Sequence, residues 1–574
     1  PIIGDSEGIH LVVPRSSTKE CIDFICKDLQ TAADYLPARW ESENKNFGRI
    51  TSGAALALKG RVELLYASPL FNRADDVTRW ETAYQTNLAA VKKLEEGNFG
   101  LAYENNSGKN AAGWGKIFSD YIGSEGGGGT VSEAVLVTLY NNVSPAEHLQ
   151  LEKWNGWEHS LRPANAGGGG GMTPTAEMVD LFPMADGKKP NDMNGSYDYN
   201  QELFFLNRDP RFYRTFAFPG VEWKFDSDDL KSFGEKGQLP YGINGYTTGN
   251  NYKLWNYCWY DNVDDRNSNS KSGYAADCLG TKNTGIYLRK RTDDLALNSN
   301  PLYIFEKTSG NGFRQSAAPY MEIRFAEVLL NYAEAACGAN HFDEAVNALK
   351  RIRKRVGYTD NCGLDPAIFN DRAKLFEAIL YERQIELAYE GKRFHDVRRW
   401  MLFDGGVGQE ALKSTWKLTG FNGNTCNYLG VEPLNGQRRH RIEVYAKNFI
   451  AAKSNNVYNE DKTIKETYDE LWNKRPTALS LTEDITCTES ADDEITYADA
   501  KVKALAQFYQ EHFKRKNLST DGNDETILPT FKPYYYILGF KKNAMQNNVS
   551  LEQNIGWGDY WRGGADGTFD PLAE

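Results

Sequence analysis

The sequence predicts a mainly α-helical protein in which a scaffold of paired helices supports a loop-rich insert with short strands. Two observations predict this fold class. Residues 16–96 and 320–403 place apolar residues at helical spacing. Residues 97–319 between them are dominated by Gly, Asn, Asp, Pro and aromatic residues, which suits long ordered loops. The 574 residues, 40% hydrophobic and 25% charged, can bury a sizeable core.

Helices are predicted first in residues 16–96. The stretch SSTKECIDFICKDLQTAADYL begins with a Ser/Thr cap signal and continues with apolar residues at helical spacing. TSGAALALKGRVELLYAS is small and apolar along one side, as tightly packed helices require. WETAYQTNLAAVKKLEEG follows and is predicted to stop at Gly97.

Helical periodicity returns at about Tyr320. The stretch MEIRFAEVLLNYAEAACGANHFDEAVNALKRIRKRVG predicts two helices joined by a turn at residues 338–341. Small residues and then larger ones occur at the positions of a tetratricopeptide helix pair, in which small side chains let two antiparallel helices approach closely. These positions are Ala333, Ala336, Ala345, Leu349 and Ile352. The scaffold is therefore predicted to be a tetratricopeptide-like helical repeat.

The stretch YERQIELAYEGKRFHDVRRW (381–400) is rich in opposite charges. Glu382, Glu386 and Glu390 are each four residues apart, which predicts one face of a helix that ends at Gly391. A new helix is predicted to start near Arg393.

This charged stretch has two interpretations. His395 and Asp396 could form a metal or acid–base pair, but adjacent helical residues point about 100° apart and do not converge on one ligand. We therefore expect an ion-pair lattice between neighbouring helices, with Arg383 and Arg393 bridging Glu side chains. Apolar residues of the second helix are predicted to point inward: Phe394, Val397 and Met401.

The stretches that carry a family resemblance are RFAEVLLNYAEAA with ALKRIRKRVG, ILYERQIELAYEGKRFHDVRRW, the early helices described above, NRDPRFYRTFAFPG (207–220) and MQNNVSLEQNIGW (545–557). They resemble the SusD/RagB family of Bacteroidota outer-membrane nutrient-binding lipoproteins, and they occur in the same order as in that family. The resemblance implies a right-handed superhelix of tetratricopeptide-like helix pairs, a loop-rich remainder and no catalysis.

The resemblance also implies location and partners. Family members capture oligosaccharides, or peptides in some cases, at the extracellular face of the outer membrane, as a hinged lid on a SusC-type TonB-dependent barrel. A lipid anchor would lie before Pro1, outside this chain. A net charge of −12 without a long Lys/Arg run makes nucleic acid a poor partner. No apolar run approaches the roughly 20 residues that span a bilayer.

These observations divide one SusD-like domain into four parts. Residues 1–96 are the N-terminal part of the scaffold, and residues 97–319 are the aromatic-rich ligand-binding region. Residues 320–403 are the tetratricopeptide-like scaffold. Residues 404–574 are a loop-rich C-terminal region with helices, one of them predicted at 500–516.

The first candidate binding site lies within residues 246–265, YTTGNNYKLWNYCWYDNVDD. Sugar rings stack their C–H faces on Trp and Tyr, and their hydroxyls bind planar amide and carboxylate groups. The candidate residues are Tyr252, Trp255, Asn256, Tyr257, Trp259, Tyr260 and Asp261. Alternation would place Trp255, Tyr257 and Trp259 on one face of a strand, which could equally be its buried face.

The second candidate is EKWNGWEHS (152–160), in which Trp154 and Trp157 flank an Asn-Gly turn. A turn there would expose at least one ring, although a core or barrel-facing role fits the pattern as well. No cofactor is expected, because CxxC and HExxH patterns are absent from the sequence. Residues 519–525 and 261–265 cluster possible calcium ligands without EF-hand spacing, so solvated acidic loops are favoured.

Three other functions remain open at this stage. The same architecture could bind peptides, using backbone hydrogen bonds and charged ends. A glycoside hydrolase needs two carboxylates about 5–10 Å apart, and 78 acidic residues do not exclude such a pair. An intracellular helical-repeat scaffold is disfavoured, because plain repeat arrays lack long aromatic loop inserts.

Overall fold

The computed structural model describes most of the helical scaffold and part of the insert. The described residues are 14–41, 43–105, 111–119, 131–143, 153–162, 169, 171–224, 251–254, 286–292, 302, 313–408, 412–437, 439–446, 476–480, 500–519 and 530–573.

The described α-helices are α1 (Thr18–Tyr35), α2 (Glu43–Asn46), α3 (Ser52–Ala67), α4 (Val77–Glu96), α5 (Ala112–Ser119), α6 (Trp157–Leu161), α7 (Ala176–Leu181), α8 (Pro210–Thr215), α9 (Phe325–Gly338), α10 (Phe342–Arg355), α11 (Arg372–Glu386), α12 (Arg393–Arg399), α13 (Thr425–Leu429), α14 (Ala500–His512) and α15 (Lys542–Gln546). Short 3₁₀ turns occupy Gln201–Leu203, Pro366–Ile368, Ser414–Trp416, Phe421–Gly423 and Pro533–Tyr536.

The described strands form small antiparallel and mixed sheets. They are β1 (Ala134–Thr138), β2 (Phe216–Ala217), β3 (Val221–Lys224), β4 (Asn251–Leu254), β5 (Tyr287–Leu288), β6 (Tyr320–Arg324), β7 (His440–Ala446), β8 (Leu479–Ser480) and β9 (Phe513–Ser519). β1 pairs with β6, β2 with β5 and β7 with β9, while β3 lies between β4 and β8. β1 and β6 tie the insert to the start of α9.

Paired helices form the scaffold, as predicted. α1 begins with a capping box in which the Ser17 and Glu20 side chains bond each other's backbone N–H, and α4 stops at Gly97. Every residue of α9 is buried, because this helix packs against α3, α4, α10 and α11. One apolar core lies among these helices, and a second lies under the insert around α8, β2 and α14.

The close approach of α3 and α4 depends on Gly60. A Cβ at this position would lie 2.4 Å from Oδ1 of Asn87, whose Nδ2 donates to the Gly60 and Ala83 carbonyls at 3.2 and 2.8 Å. Asn87 is buried, so its side chain cannot move into solvent.

We expect Gly60→Ala to lower the free energy of unfolding by about 1–2 kcal/mol, because overpacking outweighs the gain in helix propensity. Urea unfolding followed by circular dichroism measures this change. The control is the same substitution in an Asn87→Ala background, where the added methyl has room and should cost nothing. An equal cost in both backgrounds would contradict the steric explanation.

The charged stretch forms a lattice of buried ion pairs, as predicted. The Glu386 carboxylate accepts hydrogen bonds from Arg211 at 2.8 Å, from Arg324 at 2.7 Å and from Arg355. Further members are Glu133, Asp209, Lys290, Arg353, Glu382 and Glu390. Since Arg211 and Lys290 come from the insert, the lattice joins the insert to the scaffold.

The prediction for Arg383 is confirmed in a second cluster, with one change of partner. Its guanidinium lies 3.1 Å from Asp396 and 3.7 Å from Glu334, and Arg399 pairs with the same two carboxylates. The prediction for Arg393 is wrong. Within the described residues it has no ion pair, because the oxygens of Asp396, the carboxylate on the next turn of its helix, bind Arg383 and Arg399.

α11 ends at Glu386 and not at Gly391. Glu390 therefore lies in the turn after α11 and not on the helix face that carries Glu382 and Glu386. In a longer helix, the carbonyls of this turn would accept backbone N–H groups. Here the buried Lys290 Nζ donates to the Glu386 and Ala388 carbonyls instead, at 3.0 and 2.9 Å. The chain then turns through Tyr389, whose φ is +60°.

Two other local predictions need correction. Phe394 is 54% exposed, whereas Val397 and Met401 are buried as predicted. Arg398 packs on the Phe394 ring at 5.1 Å on the outer side of α12. The helix predicted at 500–516 ends at His512, because Phe513 begins the strand that pairs with β7 and packs on Phe508 at 5.1 Å.

Candidate functional site

A cleft at the junction of insert and scaffold is the candidate site. It is lined by Phe118, Asn155, Trp157, Arg291, Tyr320 and Glu390, among others. These side chains come from α5, the turn before α6, the start of α6, the turn after β5, the start of β6 and the turn after α11.

The turn before α6 fixes the Trp157 indole. Asn155 accepts the Trp157 backbone N–H at 3.1 Å, and its own Nδ2 donates to the Ala318 carbonyl at 2.8 Å. The indole N–H donates to the Lys290 carbonyl at 3.1 Å. The ring is half-buried and held from both ends.

Arg291 lies between two aromatic rings of the cleft. Its guanidinium carbon is 3.8 Å from the centre of the Trp157 ring and 5.3 Å from that of Tyr320. A nitrogen of the same group donates to the Tyr389 carbonyl at 3.1 Å. Because Arg291 covers one face of the indole and the ring also packs against the apolar core under the insert, a ligand could contact only the part of the ring that stays exposed.

Tyr320 and Glu390 form the floor of the cleft. The Tyr320 hydroxyl donates to the Glu390 carbonyl at 3.0 Å, and burial raises the pKa of this phenol, so it stays neutral. Burial alone would raise the pKa of Glu390, but Arg324 and Lys290 outweigh it and lower that pKa to about 2. Burial lowers the pKa of Lys290 to about 8.

The carboxylates that line the cleft are unsuited to acid catalysis. Glu158 pairs with Arg162 at 2.7 Å, and Glu390 pairs with Lys290 and Arg324. A glycosidase acid needs a raised pKa and a free proton, whereas Glu390 is a fixed anion with its partners in place. The described part of the cleft can therefore bind, stack and donate hydrogen bonds, but its Glu390 cannot protonate a leaving group.

The cleft is shallow. Its cavity volume of about 30 Å³ holds roughly one water molecule, so a sugar ring would rest against the mouth. Residues 255–285 and 303–312, which adjoin the cleft elements in sequence, lie outside the described residues.

The structure separates the residues predicted as binding candidates. Trp157 lines the cleft, whereas Trp154 does not, and the Trp154 indole N–H donates to the Val143 carbonyl at 2.9 Å. Tyr252 belongs to β4, and its backbone pairs with Trp223 of β3. The others lie outside the described residues and stay predictions: Trp255, Asn256, Tyr257, Trp259, Tyr260 and Asp261.

Sequence reasoning missed Phe118, Arg291 and Tyr320. Arg291 carries no local signal, because it is one cation of a basic run, LRKR, and only its positive φ of +66° turns it towards the cleft. Tyr320 was treated only as the start of a helical region. Alternation in YMEIR, a period-two pattern, could have indicated a strand there.

Comparison with known proteins identifies the family. The model of the SusD family matches residues 115–557 of this chain. The chain belongs to the SusD family. This confirms the resemblance carried by the helical and RDPRF stretches, and it accounts for the mainly helical, tetratricopeptide-like fold.

The individual relatives match this chain either over a short stretch or at low sequence identity. SusD-like protein P2 from Formosa agariphila is 34% identical over 131 residues, which are 21% of this chain and 25% of that protein. A SusD-like crystal structure from Bacteroides fragilis has a TM-score of 0.52 at 20% identity and covers 95% of this chain and 73% of its own. At this identity the structural likeness shows the fold.

Neither a membrane-spanning helix nor a metal-binding cluster occurs in the described ranges. No helix in those ranges is both long and apolar enough to cross a bilayer. Nor do those ranges contain three or more His, Cys, Asp or Glu side chains grouped to hold a metal ion. Residues 261–265 and 520–525, the possible calcium ligands apart from Ser519, lie outside them.

Proposed function

We propose that this SusD-family protein captures oligosaccharides at the cell surface without transforming them and delivers them to a SusC-type TonB-dependent outer-membrane transporter. The observation that carries the proposal is the family match over residues 115–557. The cleft supports it, because Trp157 and Tyr320 offer ring surfaces beside Arg291 and its carboxylates are held as ion pairs.

Ligand capture would combine stacking with hydrogen bonding at the mouth of the cleft. The exposed part of the half-buried Trp157 ring suits the C–H face of a sugar, and the Arg291 guanidinium lies next to it. The aromatic run at 255–260 stays a second predicted source of ring surfaces for the same ligand class. A neutral sugar releases no counterions, so binding should depend little on salt.

Isothermal titration with a panel of neutral oligosaccharides tests the proposal. We expect saturable binding without release of reducing ends, and Trp157→Ala should weaken it about tenfold, which corresponds to about 1.4 kcal/mol. Trp157→Phe keeps a ring and should retain more affinity than Trp157→Ala.

Trp561→Ala is the matched control, because this ring is 45% exposed in the C-terminal region and lines no part of the cleft. Measurable hydrolysis of any panel member would overturn the non-catalytic assignment.

Purification of the native complex tests delivery, which requires a large barrel protein bound to this chain. Peptides without carbohydrate in the co-purified material would replace oligosaccharides as the ligand class.

A further inference from the structure

A larger concavity lies on another face of the scaffold. It is bounded by α7, α11, α12 and residues 429–437, and its cavity volume is about 800 Å³. Its lining combines polar side chains with aliphatic and aromatic ones, the apolar part including Leu181, Leu380, Phe394, Val397, Val431 and Leu434. This concavity, here named the α12 groove, shares no described lining residue with the cleft at Trp157.

Two arginines line the α12 groove without partners. Arg393 and Arg439 are both half-buried, and in the part of the chain that the structure describes neither guanidinium has an ion pair or a hydrogen bond. Burial lowers the pKa of Arg393 to about 10, and the positive charge of Arg439 acts in the same direction. Buried arginines elsewhere in the described scaffold, such as Arg355 and Arg399, are paired with carboxylates.

The acidic residues of the groove do not compensate these charges. Glu177 accepts the His440 backbone N–H at 3.0 Å and also bonds its ring, and Glu377 pairs with Lys189. Glu432 is exposed. A ligand that carries carboxylate groups would therefore balance the positive charges of Arg393 and Arg439.

We propose that the α12 groove binds an extended peptide segment of a partner protein in which acidic side chains stand beside apolar ones. Arginine forks bind carboxylates with two parallel hydrogen bonds, and such pairs are stronger where water is excluded. The partly exposed side chains of Leu181, Val431 and Leu434, together with the exposed Phe394 ring, offer apolar surface for the apolar side chains of such a peptide. The exposed ring of Phe394 could contact a sugar, but a neutral sugar would leave the charges of Arg393 and Arg439 uncompensated.

An array of blocked pentapeptides that combine Glu or Asp with Leu, Ile, Phe and Ala tests the proposal. Peptides bound by the native chain are then measured in solution by fluorescence anisotropy. We expect the double variant Arg393→Gln/Arg439→Gln to bind these peptides at least about tenfold more weakly than the native chain does. Replacing Glu by Gln in the peptide should weaken its binding to the native chain to a similar extent. High salt should weaken binding as well.

Lys413→Gln/Lys417→Gln is the charge-matched control, because both lysines are exposed and outside the groove, and it should bind as the native chain does. The arginine double variant should melt at the same temperature as the native chain or higher, since it removes cations without partners. The proposal is wrong if no acidic peptide binds, if peptides bind both double variants equally, or if oligogalacturonate alone binds through the two arginines. Trp157→Ala should leave peptide binding unchanged, which separates this surface from the proposed glycan site.

Discussion

Glu386→Gln should lower the free energy of unfolding by about 3–5 kcal/mol, because removal of one partner leaves buried charges uncompensated. Arg211, Arg324 and Arg355 share this carboxylate, and the Trp114 indole N–H donates to it at 2.9 Å. A neutral amide keeps the size of the side chain but cannot balance these cations. Urea unfolding followed by tryptophan fluorescence and circular dichroism measures the loss.

Glu96→Gln is the matched control. Glu96 pairs with Lys93 at 2.7 Å, but its side chain is 61% exposed, so the pair is screened by water. We expect a change below about 1 kcal/mol. Similar small changes in both variants would mean that the lattice at Glu386 is not a major source of stability.

The lattice shows how far local sequence patterns reach. Charge spacing in residues 381–400 predicted an ion-pair lattice, and Arg383 does bridge two carboxylates. The partners Glu133 and Arg211 could not be predicted, because they come from the insert, far away in sequence. The prediction for Arg393 was wrong for a different reason: Arg383 and Arg399 of the same stretch bind Asp396, and charge spacing alone does not decide which cations this carboxylate binds.

The candidate site divides along similar lines. The Asn-Gly turn, which is a local signal, predicts an exposed Trp157 ring, and Asn155 accepts the Trp157 backbone N–H in the structure. Tyr320 and Arg291 reach the same cleft only because β6 and the turn after β5 meet at Glu390. Local patterns therefore found one wall of the cleft, and tertiary packing supplied the other.

Glu390 supplies the second large effect, a loss of stability in acid. Its pKa is about 2 in the folded protein, where Arg324 and Lys290 hold the anion against the cost of burial, and is ordinarily about 4.5. A folded pKa below the ordinary value stabilises the protein fully above pH 4.5, and this stabilisation is lost as pH falls towards 2. The difference between the folded and the ordinary pKa of Glu390 corresponds to about 3 kcal/mol in the free energy of unfolding.

Other carboxylates of the lattice act in the same direction. Burial opposes ionisation of Glu386 and Asp396, but neighbouring arginines outweigh it and lower both pKa values. Lys290, with a pKa of about 8, stays protonated throughout this range and adds no titration. Unfolding in urea should therefore need progressively less denaturant from about pH 5 to pH 2.

Glu390→Gln isolates the contribution of this single carboxylate. The variant should be less stable than the native chain near neutral pH, because Lys290 and Arg324 lose their shared anion. Its stability should fall less steeply below pH 4.5, since one of the groups with a lowered pKa is gone. Parallel pH profiles for the two proteins would show that Glu390 is not held as an anion by its cations. Glu390, which lines the cleft, would then not be a cause of the loss of stability in acid.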